Sequence, residues 1–346
     1  MAYTNINKPS NYFNTKLFTA NASTQSITGV GFQPDMVWGK SRTDAFDHEI
    51  YDVVRGVYKR IKTNQTQAEA SDVGNLTSFD ADGFSLGSQT NMNYTNGASI
   101  VSWNWLGGGT GVSNTDGSIT STVSANQTSG FSIVKWSGTS SNATIGHGLG
   151  TAPKVIIAFG YSSGGNSWTV GHHSLGWTKS IYLETGSANG PNSTFWQDTA
   201  PTNNVFSVGS FVGTNSSQSM IAYCFAEKKG FSKFGSYVGN ASATDNAFIY
   251  CGFKPAFFLS KCSSISGDRW TLYDNKRDPY NSVYRRLFPD GNIAESGNVD
   301  ADIDFTSTGV KIRTDAGTSG AAQTYIYMAF AEHPLVSSTG VPCTAR

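Results

Sequence analysis

The stretch Val30-Gly31-Phe32-Gln33-Pro34-Asp35-Met36-Val37-Trp38 decides the fold, because the sequence writes it three times. The second version is Gly148-Leu149-Gly150-Thr151-Ala152-Pro153-Lys154-Val155-Ile156-Ile157, and the third is Cys251-Gly252-Phe253-Lys254-Pro255-Ala256-Phe257-Phe258-Leu259. Each version has a glycine beside a large apolar residue, then a proline, then a short apolar run. Such a run predicts one buried strand. The three prolines, Pro34, Pro153 and Pro255, therefore serve as anchors of a repeat.

Two later landmarks keep step with these prolines. About eighteen or nineteen residues after the proline come Asp52, His172 and Asp274. Some seventy residues after it, three alternating apolar strands end in large aromatic residues. Those aromatic residues are Trp105, Phe225 and Phe330. A period of roughly a hundred residues is too long for a solenoid repeat and matches the size of an autonomous domain.

The composition favours an all-β fold. The chain has 346 residues with 38 glycines and 13% aromatic residues, and serine, threonine and asparagine fill the gaps between apolar runs. Short strands separated by such turn residues are typical of sandwiches. The sequence therefore predicts three tandem homologous β-sandwich domains of jelly-roll type. The expected boundaries are an arm (1–12), repeat 1 (13–107), a Gly/Ser/Thr-rich linker (108–129), repeat 2 (130–229), repeat 3 (230–335) and a tail (336–346).

Local patterns add three expectations. Residues 50–57 have apolar residues at helical spacing, but the corresponding stretch of repeat 2 is strand-like, so strand, tight turn, strand is expected in all copies. The glycines of residues 107–111 predict a flexible joint, although the alternation of residues 118–123 suggests a short strand. Only Lys228, Lys229 and Gly230 separate the second and third repeats, so repeat 1 is expected to move most freely.

Charge and termini exclude several classes of protein. Twenty-four basic and twenty-four acidic residues cancel, which leaves no net charge to attract nucleic acid. The N-terminus lacks the pattern of a secretion signal, and no apolar run approaches a membrane span. The four cysteines are irregularly spaced and indicate isolated thiols rather than a disulfide framework.

Candidate reactive residues are few. His172 and His173 are neighbours on a predicted strand and point to opposite faces, so they cannot bind one metal ion together. Asp300, Asp302 and Asp304 alternate, and either bind a hard cation such as Ca²⁺ or are solvated charges; the pattern of a calcium loop is incomplete. Packing residues repeat across the copies whereas reactive groups do not. Architecture is therefore favoured over catalysis, with no catalytic residue, cofactor or metal expected.

Several longer motifs resemble a family of repeat-built structural proteins of tailed bacteriophages from aquatic bacteria, and the resemblance covers nearly the whole chain. The motifs are the opening from Met1-Ala2-Tyr3-Thr4 through Gly31-Phe32-Gln33-Pro34-Asp35, the stretches 113–120 and 145–154, and the two strand ends Ala222-Tyr223-Cys224-Phe225-Ala226-Glu227 and Ala329-Phe330-Ala331-Glu332-His333-Pro334. The resemblance implies a virion component assembled in the host cytoplasm. It implies no catalytic or binding residue.

The expected function is an exterior tail-fibre or spike protein that contacts a host surface glycan or protein. Its expected partners are other virion proteins and further copies of itself, with a trimer favoured, and neither nucleic acid nor membrane insertion is expected. A head decoration protein is the main alternative, because three copies of one fold in a chain suit a threefold environment. The third expected function is that of a surface-polysaccharide depolymerase.

Overall fold

The chain is built almost wholly of β-strands. The computed structural model describes residues 3–188, 190–242, 246–297, 301–314, 318–337 and 340–342. Within these ranges the helices are one α-helical turn, α1 (Val212–Asn215), and two short 3₁₀ turns (Pro9–Asn11 and His173–Leu175). None of the described helices is both long and apolar enough to cross a membrane.

Repeat 1 contains nine strands in two layers. They are β1 (Phe13–Thr19), β2 (Gln25–Thr28), β3 (Met36–Ser41), β4 (Glu49–Asp52), β5 (Lys59–Lys62), β6 (Ala70–Ser71), β7 (Leu76–Asp80), β8 (Gly83–Leu86) and β9 (Ser99–Trp105). The large sheet has the order β1-β9-β3-β4-β5-β6, and the small sheet has the order β2-β8-β7. All the named pairs are antiparallel.

Repeat 2 follows the same plan with an insertion before it. The insertion forms β10 (Val112–Asn114) and β11 (Ser121–Asn126). The repeat itself has β12 (Phe131–Ser137), β13 (Ala143–Gly146), β14 (Val155–Gly160), β15 (Thr169–His172), β16 (Lys179–Tyr182), β17 (Gly190–Pro191), β18 (Val205–Val208) and β19 (Ser219–Phe225). The large sheet has the order β10-β11-β12-β19-β14-β15-β16-β17, and β13 pairs with β18 in the small sheet.

Repeat 3 has the third version of the plan. Its strands are β20 (Ser232–Val238), β21 (Phe248–Tyr250), β22 (Phe253–Cys262), β23 (Thr271–Asp274), β24 (Arg285–Arg286), β25 (Ser296–Gly297), β26 (Ile303–Phe305), β27 (Gly309–Ile312) and β28 (Thr324–Pro334). The large sheet is β20-β28-β22-β23, and the small sheet is β21-β27-β26. In every repeat the closing strand lies between the first strand and the proline strand.

Side-chain alternation divides the proline strands between two cores. Val37 points into the core of repeat 1, whereas its neighbours Met36 and Trp38 point away from it. Each repeat has such a core between its two sheets, represented by Phe84, Phe206 and Val310. The chain is thus all-β, as the sequence predicts, and each repeat is two-layered.

The other faces of the three large sheets meet in one shared core. It contains Trp105 from repeat 1, Phe225 from repeat 2 and Phe330 from repeat 3, all almost fully buried. The Trp105 ring centroid lies 6.3 Å from that of Phe225 and 5.7 Å from that of Phe330, and the Phe225 and Phe330 centroids are 5.9 Å apart. The predicted anchors therefore form a three-membered cluster where the repeats converge. Burying each ring contributes about 1.5–3 kcal/mol.

The shared core corrects two expectations about the joints between repeats. The stretch 108–129 is not a flexible linker, because β10 pairs with β11 and β11 extends the large sheet of repeat 2 along β12. Repeat 1 is not the freer part, since its inner face packs in the same cluster as the other two. The repeats pack together because each large sheet has apolar side chains on both faces, and both faces must be shielded from water.

The remaining local predictions are confirmed in part. Residues 49–62 form strand, turn and strand rather than a helix. Pro34 and Pro153 lie just before their strands, and Pro255 lies inside β22 at an irregularity where the register with β28 shifts. Cys224, Cys251 and Cys262 are free and buried, and Cys343 lies outside the described residues.

Candidate functional site

The acidic residue that follows the proline strand of repeat 1 forms a buried ion pair. Asp52 ends β4, and its Oδ1 accepts hydrogen bonds from the backbone N–H groups of Val54 and Arg55 at 3.1 and 2.9 Å. Its Oδ2 lies 2.6 Å from Arg55 Nε, and both side chains are fully buried. Arg55 also donates to the Ile50 carbonyl at 3.0 Å and to Glu69 at 2.9 Å. Burial opposes the charged guanidinium, but Asp52 and Glu69 together raise the pKa of Arg55.

Repeat 3 builds the same cluster from equivalent residues. Asp274 Oδ1 accepts from the N–H groups of Lys276 and Arg277 at 3.0 and 2.9 Å, and Asp274 Oδ2 lies 2.6 Å from Arg277 Nε. Arg277 donates to the Leu272 carbonyl at 2.9 Å and to Glu295 at 3.0 Å. The two clusters therefore agree contact by contact, although more than two hundred residues separate them.

Repeat 2 has a histidine at this position and no arginine three residues later. His172 Nδ1 accepts from the Ser174 N–H at 3.1 Å, which reproduces one of the turn contacts of Asp52. Its Nε2 lies 3.2 Å from the Tyr327 carbonyl oxygen. Burial, with a contribution from His173, lowers the pKa of His172 to about 3, so the ring is neutral. Position 175 is a half-buried leucine that packs against the shared core.

Each of these three positions contacts the closing strand of the next repeat. Tyr223 of repeat 2 donates to Asp52 Oδ2 at 2.8 Å. Repeat 2 in turn contacts repeat 3 through His172 and the Tyr327 carbonyl. Trp103 of repeat 1 donates through Nε1 to Asp274 Oδ2 at 3.0 Å. The contacts run from the first repeat to the second, the second to the third and the third back to the first, which closes a pseudo-threefold ring.

A second set of contacts also joins all three pairs of repeats. Trp168 Nε1 of repeat 2 donates to the Lys62 carbonyl of repeat 1 at 2.9 Å, and Trp270 Nε1 of repeat 3 donates to the Tyr182 carbonyl of repeat 2 at 2.8 Å. Thr63 of repeat 1 donates to the Pro289 carbonyl of repeat 3 at 2.9 Å. The ring is therefore held by buried hydrogen bonds between all three pairs of repeats.

Three surface grooves lie near the first and last strands of the repeats. The largest, of about 570 Å³, is lined by residues 3–6 of the N-terminal arm and by Lys228 and Lys229. Two further grooves, of about 180 and 310 Å³, share Lys276, and the latter also contains Lys16. Tyr3 anchors the arm, since its hydroxyl donates to the Gly252 carbonyl at 2.5 Å. We call this surface the lysine face.

Lysines outnumber carboxylates among the described residues that line the grooves of the lysine face. The carboxylate that lines its grooves, Glu332, lies 3.3 Å from the ammonium of Lys254, a further lysine. The zero net charge of the chain conceals this local excess. A surface of this kind attracts anionic groups over about one Debye length and does so less strongly at high salt.

The residues considered for metal binding or nucleophilic catalysis are engaged elsewhere. Asp302 and Asp304 lie 3.4 and 2.7 Å from the guanidinium of Arg313, and Asp300 is outside the described residues. Nowhere in the described ranges do three histidine, cysteine, aspartate or glutamate side chains gather as a metal site. His173 Nε2 contacts the Phe234 carbonyl at 2.9 Å and the Ser174 hydroxyl only at 3.4 Å.

Sequence reasoning missed the arginines and the closing-strand partners. Arg55 and Arg277 follow Asp52 and Asp274 by three residues, so Asp-x-x-Arg at a fixed distance from the proline was a visible signal. Nothing in the sequence pairs Trp103 with a residue of repeat 3, because that contact depends on how the repeats pack. The lysines of the lysine face are scattered along the chain and show no local cluster apart from Lys228-Lys229.

The chain belongs to the family described as Domain of unknown function (DUF7483), which it matches over residues 8–334. The match therefore spans all three repeats. No curated protein matches the chain significantly, and neither does any solved structure.

Proposed function

We propose that this member of the DUF7483 family is a non-enzymatic structural protein on the exterior of a tailed-bacteriophage virion, where it contacts the host surface as a tail-fibre or spike module. The observation that carries the proposal is the closed ring. One chain builds the threefold core that a fibre would otherwise assemble from three subunits. The resemblance of the sequence motifs to phage structural proteins supports the virion part of the proposal.

The polar contacts that recur in the repeats support a role in binding rather than in catalysis. The ion pairs of the site are fully buried, and each forms within one repeat, between Asp52 and Arg55 or between Asp274 and Arg277. Such pairs contribute register and specificity more than net stability. The groups open to solvent in grooves are lysines and arm residues, which suit reversible binding of an anionic envelope polymer.

Host attachment is tested by competition. The purified chain is added to host cells before infection, and we expect it to bind the cells and to lower the number of infections in a salt-dependent manner. Exchanging Lys228, Lys229 and Lys276 for glutamate should abolish this binding. The same exchange at Lys59 and Lys179, away from the lysine face, is the matched control. Wild-type protein that neither binds cells nor blocks infection would contradict an attachment role.

A head decoration protein is the second candidate, and the ring itself favours it. A pseudo-threefold chain can satisfy a threefold position of a shell with a single copy. Cryo-electron microscopy of the intact particle distinguishes the two: density at threefold positions of the head supports decoration, and density at the tail tip supports attachment. The expected homotrimer is tested separately by the mass of the purified chain in solution.

A further inference from the structure

One edge of the small sheet is covered in repeat 2 but exposed in repeats 1 and 3. The edge is formed by the second strand of each repeat, namely β2, β13 and β21. In repeat 2 the insertion covers it; in repeat 1 it carries the exposed hydroxyl residues Ser26 and Thr28; in repeat 3 it carries the exposed aromatic residues Phe248 and Tyr250. The aromatic edge is therefore particular to one repeat.

The covering in repeat 2 shows how this edge accepts a strand. Ile119 forms a parallel bridge with Ile145, and its N–H donates to the Thr144 carbonyl at 3.2 Å. The Thr144 N–H donates to Ser118 Oγ at 2.9 Å, and the Ser121 hydroxyl donates to the Gly146 carbonyl at 2.8 Å. Because β11 also pairs with β12, one insertion covers the edges of both sheets of repeat 2.

In repeat 3 the equivalent backbone groups face an open edge. The Ile312 N–H donates to the Ala247 carbonyl, and the Cys251 N–H donates to the Thr308 carbonyl, so Ile249 between them also faces β27. In an antiparallel ladder the alternate residues, Phe248 and Tyr250, then direct their N–H and C=O groups outward. Among the described residues, neither of these N–H groups donates to a backbone carbonyl outside the ladder with β27.

The side chains at this edge are apolar as well as exposed. Phe248 is 49% exposed and Tyr250 is 57% exposed, although Ile249 between them is buried in the core of repeat 3. Val238, on the edge strand β20 of the large sheet, is 59% exposed. Natural edge strands are commonly protected by charge, proline or a cover, and residues 248–250 have neither charge nor proline.

We propose that β21 binds an extended segment of a separate polypeptide, which adds to the small sheet of repeat 3 in the way that residues 118–121 cover β13. Main-chain hydrogen bonds to Phe248 and Tyr250 hold the segment, and their rings pack on its alternate side chains. The insertion of a second copy of this chain is not the occupant, because its residues 118–121 are already bound to its own β13. The occupant in this proposal is an extended segment of a different protein with apolar side chains at alternate positions, which match the exposed rings of Phe248 and Tyr250. The site does not depend on the proposed host attachment.

Hydrogen exchange on the full-length chain tests the open edge first. The amides of Phe248 and Tyr250 should exchange at least about 100-fold faster than the amides of Ile249 and Thr144, which are bonded within the fold. Equal protection of Phe248, Ile249 and Tyr250 would show that the edge is already closed and would overturn the proposal.

Binding is tested with a displayed library of random 12-residue peptides selected on the full-length chain. Selected peptides should slow exchange at Phe248 and Tyr250 and should lose at least tenfold in affinity for Tyr250→Pro, which removes one outward donor and spares the ladder to β27. The double variant Phe248→Thr with Tyr250→Thr keeps the donors and should lose less.

Two results would overturn the proposal. Either no selected peptide slows exchange at Phe248 and Tyr250 in the wild-type chain, or an oligosaccharide perturbs both rings while their amides continue to exchange rapidly. The exchange readout uses the wild-type chain, so it decides the question even if Tyr250→Pro fails to fold.

Discussion

The same structural position is filled by a buried ion pair in repeats 1 and 3 and by a neutral histidine in repeat 2. Asp52 and Asp274 each bind an arginine three residues later and accept a hydrogen bond from the next repeat. His172 keeps the turn contact and the contact to the next repeat, but it has no cation. At this position every repeat therefore has a hydrogen bond to the next repeat, whereas the charge of the side chain differs.

In repeats 1 and 3 the buried arginine comes together with a second carboxylate, and repeat 2 lacks the arginine. The arginine is held by a second carboxylate, Glu69 in repeat 1 and Glu295 in repeat 3, and Glu295 additionally bridges to Arg42 of repeat 1 at 2.8 Å. Repeat 2 has Leu175 in place of the arginine, so an aspartate at position 172 would be buried without a cation. A neutral side chain avoids that cost.

The largest expected effect comes from removing one partner of a buried pair. Asp274→Ala leaves Arg277 buried with Glu295 alone and deprives Trp103 of its acceptor, so we expect a loss of about 3–5 kcal/mol in the free energy of unfolding. Asp52→Ala should cost a similar amount, and His172→Ala about 1–3 kcal/mol, because only neutral hydrogen bonds are lost. Denaturant unfolding measures all three. Equal losses at the three positions would contradict the distinction between charged and neutral sites.

A substitution that removes the difference between the repeats should also destabilise the chain. His172→Asp places a carboxylate in the buried site of repeat 2 without an arginine, at an expected cost of roughly 2–4 kcal/mol at neutral pH. Adding Leu175→Arg restores the Asp-x-x-Arg spacing and should recover part of this loss. The comparison is made by thermal unfolding of the single and double variants. An undiminished stability of His172→Asp would show that the site is not dry.

The buried histidine of repeat 2 makes the stability of the chain depend on pH. The folded pKa of His172 is lowered to about 3 from an ordinary value of 6.5, so the unfolded chain binds a proton that the folded chain excludes. Its stabilising effect is complete above pH 6.5 and declines as the pH falls towards 3. By pH 5 the loss from this residue is about 2 kcal/mol. His172→Gln should reduce the slope of stability between pH 6.5 and 5, as measured by denaturant unfolding; an unchanged slope would contradict the buried neutral ring.

The smallest effect is expected at an exposed ion pair. Arg313 is half exposed and contacts Asp302 and Asp304 at the surface of repeat 3. Arg313→Ala should change the free energy of unfolding by at most about 1 kcal/mol, and less at high salt. A loss comparable to that of Asp274→Ala would mean that burial does not explain the ranking. The same measurement in added calcium checks whether Asp302 and Asp304 take a cation once the arginine is gone.

The repeat unit could be predicted from sequence because its signals are local. Pro34, Pro153 and Pro255 stand next to the apolar runs they introduce, and Trp105, Phe225 and Phe330 end strands whose alternation is visible. These residues mark the proline strand and the closing strand of each repeat in the sequence. The structure confirms the all-β class. The shared core was not predicted, although the apolar residues on both faces of the proline strands are a signal of a second buried surface.

The arrangement between repeats could not be predicted in the same way. The contact of Trp103 with Asp274 joins residues 171 positions apart, and no local pattern specifies it. The insertion at residues 112–126 has the composition of a loop, yet it is ordered because it covers the open edges of β12 and β13. Its glycine-rich composition indicates only that many backbone conformations are accessible to the insertion. The open edges of β12 and β13 determine which conformation it adopts.

The central claim is that the first and third repeats close one ring, and a double-mutant cycle between Trp103 and Asp274 tests it most directly. Trp103→Phe, Asp274→Asn and the double variant are compared by denaturant unfolding. Direct contact predicts a coupling energy of about 1–3 kcal/mol and a single unfolding transition for all three repeats. Additive losses, with separate transitions for the repeats, would contradict the ring.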